Sequence, residues 1–166
     1  MKKIIFICTG NTCRSPMAMA FFNGFASLEP PEFGYEAGSA GLAVSKDAPP
    51  SENAVLAMKD PWSIDISSHR SHILSQAEVR EATLLLTMTM SHKHYILSMF
   101  PGAYQKVYTL KEYAYGEPGS PENGNNAAAV MADIADPYGG SLWAYKLCAV
   151  EIGQAVEKLV EKLKNS

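Results

Sequence analysis

Apolar side chains run unbroken from Ile4 to Cys8 within the stretch Lys2–Cys8. A continuous run of β-branched and aromatic residues predicts a strand covered on both faces, as in a parallel sheet. The period then becomes helical over Ser15–Ala26, where Met17, Ala20, Phe21 and Gly24 share a face, Ser15 is placed to cap and Pro16 falls in the first turn. Phe33–Ala37 predicts a short second strand closed by the small residues AGSAG. A loop over Gly41–Pro50, a short helix over Ser51–Lys59 and a connector over Ile64–Ser68 follow. Ser75–Glu81 is a further short helix and Ala82–Met88 the third clear strand, with Ser91–Met99 helical and Lys106–Leu110 a fourth strand. Tyr115–Asn126 concentrates Gly, Pro and Asn and predicts a surface loop. Ala127–Asp133 is a short helix, and Ser141–Lys164 a long terminal one with Leu147, Val150, Val156, Leu159 and Leu163 as its apolar positions and lysines in its last turns. Strands alternating with helices define an α/β domain with a mainly parallel sheet. In such sheets sites lie beyond the carboxyl ends of the strands, where Cys8 stands.

Composition narrows the class. The 166 residues suit a single domain, 47% hydrophobic and 19% charged, with a net charge of −3 that gives no sign of nucleic-acid binding. No apolar run approaches the roughly 20 residues of a membrane span. The apolar part of the amino-terminal stretch is shorter than the core of a signal peptide, about 7–15 residues. The reading is therefore of a cytoplasmic protein, and a monomer is expected. An odd cysteine count, three, argues against a disulfide framework.

The candidate chemistry lies in Cys8-Thr9-Gly10-Asn11-Thr12-Cys13-Arg14-Ser15, a loop between a strand and a helix N-terminus. Its backbone N–H groups can converge into an anion nest. Gly10 is expected to allow a turn where a side chain would clash, and Asn11 tolerates left-handed backbone angles. Arg14 adds a planar two-pronged donor matched to phosphate oxygens. The same positive surroundings favour the thiolate of Cys8, and Ser15 can donate a hydrogen bond to its sulfur. A Walker A loop is excluded because the Gly-Lys-Ser/Thr string is missing. C-x4-C with a distant third cysteine, Cys148, and no nearby His pair is not zinc-ligand spacing.

CTGNTCRSPMA (Cys8–Ala18) with DPYGG (Asp136–Gly140) resembles the low-molecular-weight protein tyrosine phosphatase family. The similarity extends through AGSAG, SSHRS (Ser67–Ser71), TMTMSHK (Thr87–Lys93) and TLKEYA (Thr109–Ala114). The resemblance implies a three-layer α/β fold over residues 1–166, with a four-stranded parallel sheet of flavodoxin-like topology and helices on both faces. It implies hydrolysis of phosphorylated proteins without metal or cofactor, releasing inorganic phosphate, through a phosphocysteine on Cys8. Thr9 to Ser15 and Arg14 would hold the phosphoryl oxygens, where transition-state charge resides. Asp136 would protonate the leaving group and then serve as base for water. Tyr138 resembles the aromatic wall of the pocket, and His69 the histidine that bonds Asn11 and braces the loop. His72, His92 and His94 read as surface residues, and Asp133 as a surface or helix-end carboxylate.

Thr12 departs from the Ile or Leu usual in the tyrosine phosphatases. The branch resembling protein arginine phosphatases carries Thr there, and TLKEYA is similar to that branch as well. An aliphatic side chain packs on a phenyl ring, whereas a hydroxyl can orient water or a guanidinium, so the reading leans to phosphoarginine over phosphotyrosine. Leu42 to Asp47 would form the opposite wall, without a large aromatic. Cys13 is open to three readings: packed under the loop, a free thiol, or a reversible partner of Cys8, as the resemblance suggests. Cys148, among apolar neighbours, is core. Two other functions compete, the first of which uses a similar loop. A thiol-linked arsenate reductase needs two further cysteines, which Ala82–Met99 lacks; a phosphate-binding module needs neither Cys8 nor Asp136.

Overall fold

The strands and helices follow from the placement of apolar residues in a computed structural model, which describes residues 1–116 and 132–166. The expected loop over Tyr115–Asn126 and helix over Ala127–Asp133 lie, but for their ends, outside the described residues. In order come β1 (Lys2–Cys8), α1 (Arg14–Ala26), β2 (Tyr35–Gly41), α2 (Glu52–Lys59), α3 (Gln76–Glu81), β3 (Leu84–Thr87), α4 (Met90–Met99), β4 (Val107–Thr109), α5 (Leu110–Tyr115) and α6 (Leu142–Lys164). The four strands are parallel in the order β2-β1-β3-β4, with Phe6 opposite Ser39 on one side and Leu86 on the other.

β1 is central because it has no polar face to offer water. Its alternation sends Ile4, Phe6 and Cys8 into the layer of α1, α2, α5 and α6, and Ile5 and Ile7 into the layer of α3 and α4. Each fully buried Ile or Phe contributes about 1.5–3 kcal/mol, so these residues anchor both halves of the core.

Three expectations are corrected. β2 begins at Tyr35 and runs through AGSAG, whereas Phe33 closes a short 3-10 turn and packs on Phe22 and Tyr35. The small residues continue the strand rather than ending it, and Asn23 of α1 bonds both polar groups of Ala37 on its outer edge. Leu110 opens a helix rather than ending a strand. Thr109 and Glu112 form a reciprocal capping box, a signal present in T-L-K-E. On α6, Leu147 and Val150 are exposed, because the buried stripe runs through Tyr145, Cys148, Ala149, Ile152, Val156, Leu159 and Leu163.

Candidate active site

The β1–α1 loop is held by its carbonyls. Cys8 O and Thr9 O accept from Leu42 N–H, and Thr9 O also from Ala43 N–H. Thr12 O accepts from Ser51 N–H, and Asn11 O from His69 Nε2 at 2.8 Å. By contrast, none of the seven successive N–H groups from Thr9 to Ser15 donates to another protein group among the described residues. They sit at the start of α1, whose N-cap residue Cys13 makes no side-chain cap bond. Unpaired amides at a helix N-terminus are an anion site.

Asn11 organises this loop from behind. It is wholly buried with φ at 57°, in the left-handed region that Asn tolerates. Its Oδ1 accepts from His72 N–H at 3.1 Å, which assigns the amide and leaves Nδ2 to donate to Ser15 Oγ at 2.8 Å and Ser39 Oγ at 3.0 Å. Because Ser15 Oγ accepts from Asn11, its own hydrogen is free for Cys8 Sγ, 2.9 Å away, in preference to Ala40 O at 3.4 Å. Gly10 is not crowded: a Cβ there would meet nothing closer than Thr12 Oγ1 at 3.7 Å, and its φ is not left-handed. The crowded glycine is Gly41, where a Cβ would collide with Val44 Cγ2 and fall 2.8 Å from Thr9 O and 3.0 Å from Asn11 Cβ. It lets the end of β2 press against the loop.

Arg14 is buried, 3% exposed. Nη1 donates to Ile134 O at 2.8 Å, and Nη2 lies 3.4 Å from Asp136 Oδ2. Nε is buried without a partner among the described residues. A buried charged donor without an acceptor is costly and points to an anionic guest. Asp136 is half exposed, and its Oδ1 accepts from Tyr138 N–H at 3.1 Å, fixing the turn ahead of α6.

A cleft of about 430 Å³ is lined by Cys8, Thr9, Gly10, Thr12, Cys13 and Arg14 on its floor, with Asp136 and the exposed Tyr138 at one side. Ala43, Ser45, Ala48, Pro49 and Ser51 complete its lining. The structure thus brings together the expected residues, with Asn11, Ser15 and His69 behind them. Of Leu42–Asp47 only Ala43 and Ser45 line the cleft. Cys13 is packed, its Sγ 3.0 Å from Ser51 Oγ and 3.5 Å from Tyr145 OH, and all three cysteines are free. Burial pushes the Cys148 thiol up to about 12, consistent with a core residue. His72 and His94 are exposed, but His72 pairs with Glu78, and its backbone N–H serves Asn11.

His92 is the residue sequence reasoning missed. It is buried, not at the surface, and its Nε2 lies 2.9 Å from Thr9 Oγ1. Burial, reinforced by the Arg14 charge, pushes the imidazole down to about 4 against the pull of Asp133 and Asp136. Burial likewise lowers His69, which its bond to Asn11 partly offsets. Asp133 ties two segments together, since its Oδ1 accepts from Met90 N–H at 2.8 Å and satisfies the first amide of α4. The signal for His92 was its place three residues after Thr89, whose hydroxyl caps α4 and sets the ring toward the loop.

The chain matches, over residues 3–166, the sequence model of the family described as low molecular weight phosphotyrosine protein phosphatase. It is 36% identical to a protein-arginine-phosphatase of Geobacillus stearothermophilus, over 97% of this chain and 95% of that one. It is 34% identical to the low molecular weight protein-tyrosine-phosphatase PtpB of Staphylococcus epidermidis, over 95% of this chain and 96% of that one. The crystal structure of a low molecular weight protein tyrosine phosphatase from T. tengcongensis superposes with a TM-score of 0.84 at 36% identity, covering 98% of this chain and 99% of that one. The chain belongs to the low molecular weight phosphotyrosine protein phosphatase family, and the flavodoxin-like sheet expected from its motifs is the one observed.

Proposed function

We propose that this phosphatase hydrolyses phosphoarginine on proteins in preference to phosphotyrosine, and that Cys8, Arg14 and Asp136 carry the reaction. One observation supports the site above all: seven backbone amides and a buried Arg14 Nε, all without protein acceptors among the described residues, surround a cysteine at the carboxyl edge of the sheet. Cys8 Sγ attacks phosphorus as the bond to the guanidinium nitrogen breaks, and Asp136 delivers the proton that nitrogen needs. The amides and Arg14 hold the three equatorial oxygens. Water then attacks the thiophosphate, Asp136 takes its proton, phosphate leaves and Cys8 regains its thiolate, with Ser15 Oγ, 2.9 Å from the sulfur, donating to it.

The preference for phosphoarginine rests on Thr12. Thr12 lines the cleft, and the one side-chain hydrogen bond of its hydroxyl among the described residues is a weak 3.8 Å approach to Cys13 Sγ, so that hydroxyl is available to a guanidinium or its water. The relative from Geobacillus stearothermophilus named for phosphoarginine supports the same side. Among the described residues no helix is long and apolar enough to cross a membrane. Three thiols suit a reducing compartment, and we place the enzyme in the cytoplasm as a monomer.

The test is steady-state hydrolysis of matched phosphoarginine and phosphotyrosine peptides, with Cys8→Ser as the blank. Phosphoarginine is expected to win by about tenfold in kcat/KM, ~1.4 kcal/mol of transition-state binding, and Thr12→Ile to shift activity towards phosphotyrosine. A wild-type preference for phosphotyrosine overturns the substrate assignment. Activity no higher than the blank on both peptides overturns the catalytic one.

A further inference from the structure

Thr9 offers the cleft a hydroxyl whose orientation depends on a buried histidine. The backbone that carries His92 is fixed from several directions. Its backbone N–H donates to Thr89 Oγ1 at 3.1 Å, and the turn before it is tied by Thr87 Oγ1 donating to Thr89 O at 2.8 Å. Met88 O accepts from Ile134 N–H, and Met90 N–H donates to Asp133. This places Nε2 2.9 Å from Thr9 Oγ1, while Nδ1 is buried with no partner among the described residues.

The unpartnered Nδ1 decides the tautomer. A buried donor or acceptor left unmatched costs about 1–3 kcal/mol, and orphaned buried N–H groups are rarer than under-satisfied acceptors. The proton therefore sits on Nε2 and is donated to Thr9 Oγ1. A threonine oxygen that accepts from His92 keeps its own hydrogen for another acceptor. Among the described residues Thr9 Oγ1 has no other side-chain partner, and Thr9 lines the cleft beside Cys8 and Arg14.

We propose that His92 is a positioning residue that aims the Thr9 hydroxyl hydrogen at an oxygen of the bound phosphoryl group, adding one side-chain donor to the backbone nest. The inference rests on the phosphatase reading of the cleft. This role requires an Nε2–H, and the surroundings keep the ring that carries it neutral. Arg14 on α1 disfavours a second positive charge here, and Asp133 and Asp136, which favour it, do not outweigh Arg14 and burial together. A donated hydrogen bond into the hydroxyl also polarises it, strengthening its own donation.

A double-mutant cycle tests this with wild type, His92→Leu, Thr9→Val and the double variant, and with His92→Gln as the conservative replacement that retains an N–H near Nε2. The readouts are kcat and KM on an aryl phosphate and the inhibition constant of inorganic phosphate, with Cys8→Ser as the blank. His92→Leu is expected to lower kcat and weaken phosphate inhibition about fivefold each, the worth of one neutral hydrogen bond. His92→Gln should stay within about twofold of wild type, and His92→Leu should cost almost nothing more once Thr9 is Val. An equal loss in both Thr9 backgrounds, or no loss in wild type, overturns the inference while leaving the phosphatase reading intact. Wild-type activity at the level of the blank overturns both. Nitrogen NMR of the intact protein reads the tautomer without any variant: a proton on Nδ1 of His92 overturns the inference too.

Discussion

Replacing Asn11 by alanine removes a wholly buried side chain that makes three hydrogen bonds, to Ser15, Ser39 and His72 N–H. Each such bond contributes about 1 kcal/mol net, and burial leaves the former partners unpaired. Alanine must also hold φ at 57°, which costs an ordinary residue about 1 kcal/mol more than Asn. The expected destabilisation is about 4 kcal/mol. For a domain of this size that corresponds to a Tm lower by roughly 8–16 °C, read by differential scanning calorimetry. Asn11→Gly should melt above Asn11→Ala, because glycine accepts the left-handed backbone but restores no bond. Asn11→Asp separates stability from chemistry. Its two oxygens would accept from the Ser15 and Ser39 hydroxyls, keeping much of the network while drawing the Ser15 hydrogen away from Cys8 Sγ, and its charge would oppose a phosphate. We expect Asn11→Asp to melt above Asn11→Ala yet to lose kcat at least as severely. Asn11→Ala melting within about 2 °C of wild type would refute the reasoning that this side chain holds the loop.

Asp136→Asn should lower kcat on a phosphoarginine peptide by about 10²–10⁴, with a much smaller loss on an aryl phosphate whose leaving group needs no proton; equal losses on both would remove Asp136 as the acid. Gly41→Ala places a methyl against Thr9 O and Val44, so urea unfolding should show a loss of about 1–3 kcal/mol, whereas Gly10→Ala, with nothing within 3.7 Å, should melt close to wild type. His92 and His69 both have folded-state affinities for protons below the ordinary histidine value of 6.5. The unfolded chain therefore binds more protons as pH falls below 6.5. The stability that comes with the neutral rings is complete above that value and is lost on acidification, down to about 4 for His92. Urea midpoints should fall between pH 7 and pH 5, and His92→Gln should flatten that slope; a midpoint that rises on acidification would show the sign to be wrong.

Much of the fold was legible because β1 is apolar at every position from Ile4 to Cys8, and a strand of that kind has one place to go, the middle of a covered sheet. The cysteine loop was legible because its residue types are bound to a local geometry, a strand end feeding a helix N-terminus. The errors arose where a residue's role depended on a distant neighbour. AGSAG looks like a chain break because its side chains are small, but they are small so that Gly41 can touch Thr9 and Asn11. Leu147 and Val150 look like core until α6 is rotated onto the stripe that meets α1 and α2.

His92 shows why the site was less legible than the loop at its floor. The catalytic string can say which residues surround a phosphate, but not which of their atoms remain uncommitted, and that remainder decides the chemistry. The carbonyls of Thr9, Asn11 and Thr12 are tied to Ala43, His69 and Ser51, segments scattered over the next 60 residues of chain, and those ties turn the amides loose. The same holds for hydroxyls. Ser15 has its hydrogen free for Cys8 because Asn11 meets its oxygen as a donor, and Thr9 stands in the same relation to His92. In each pair a buried nitrogen saturates an oxygen from behind and so directs a hydrogen forward. The nest is thus built by removing every alternative partner on its outer side, and a residue far from the motif can matter as much to the reaction as one within it.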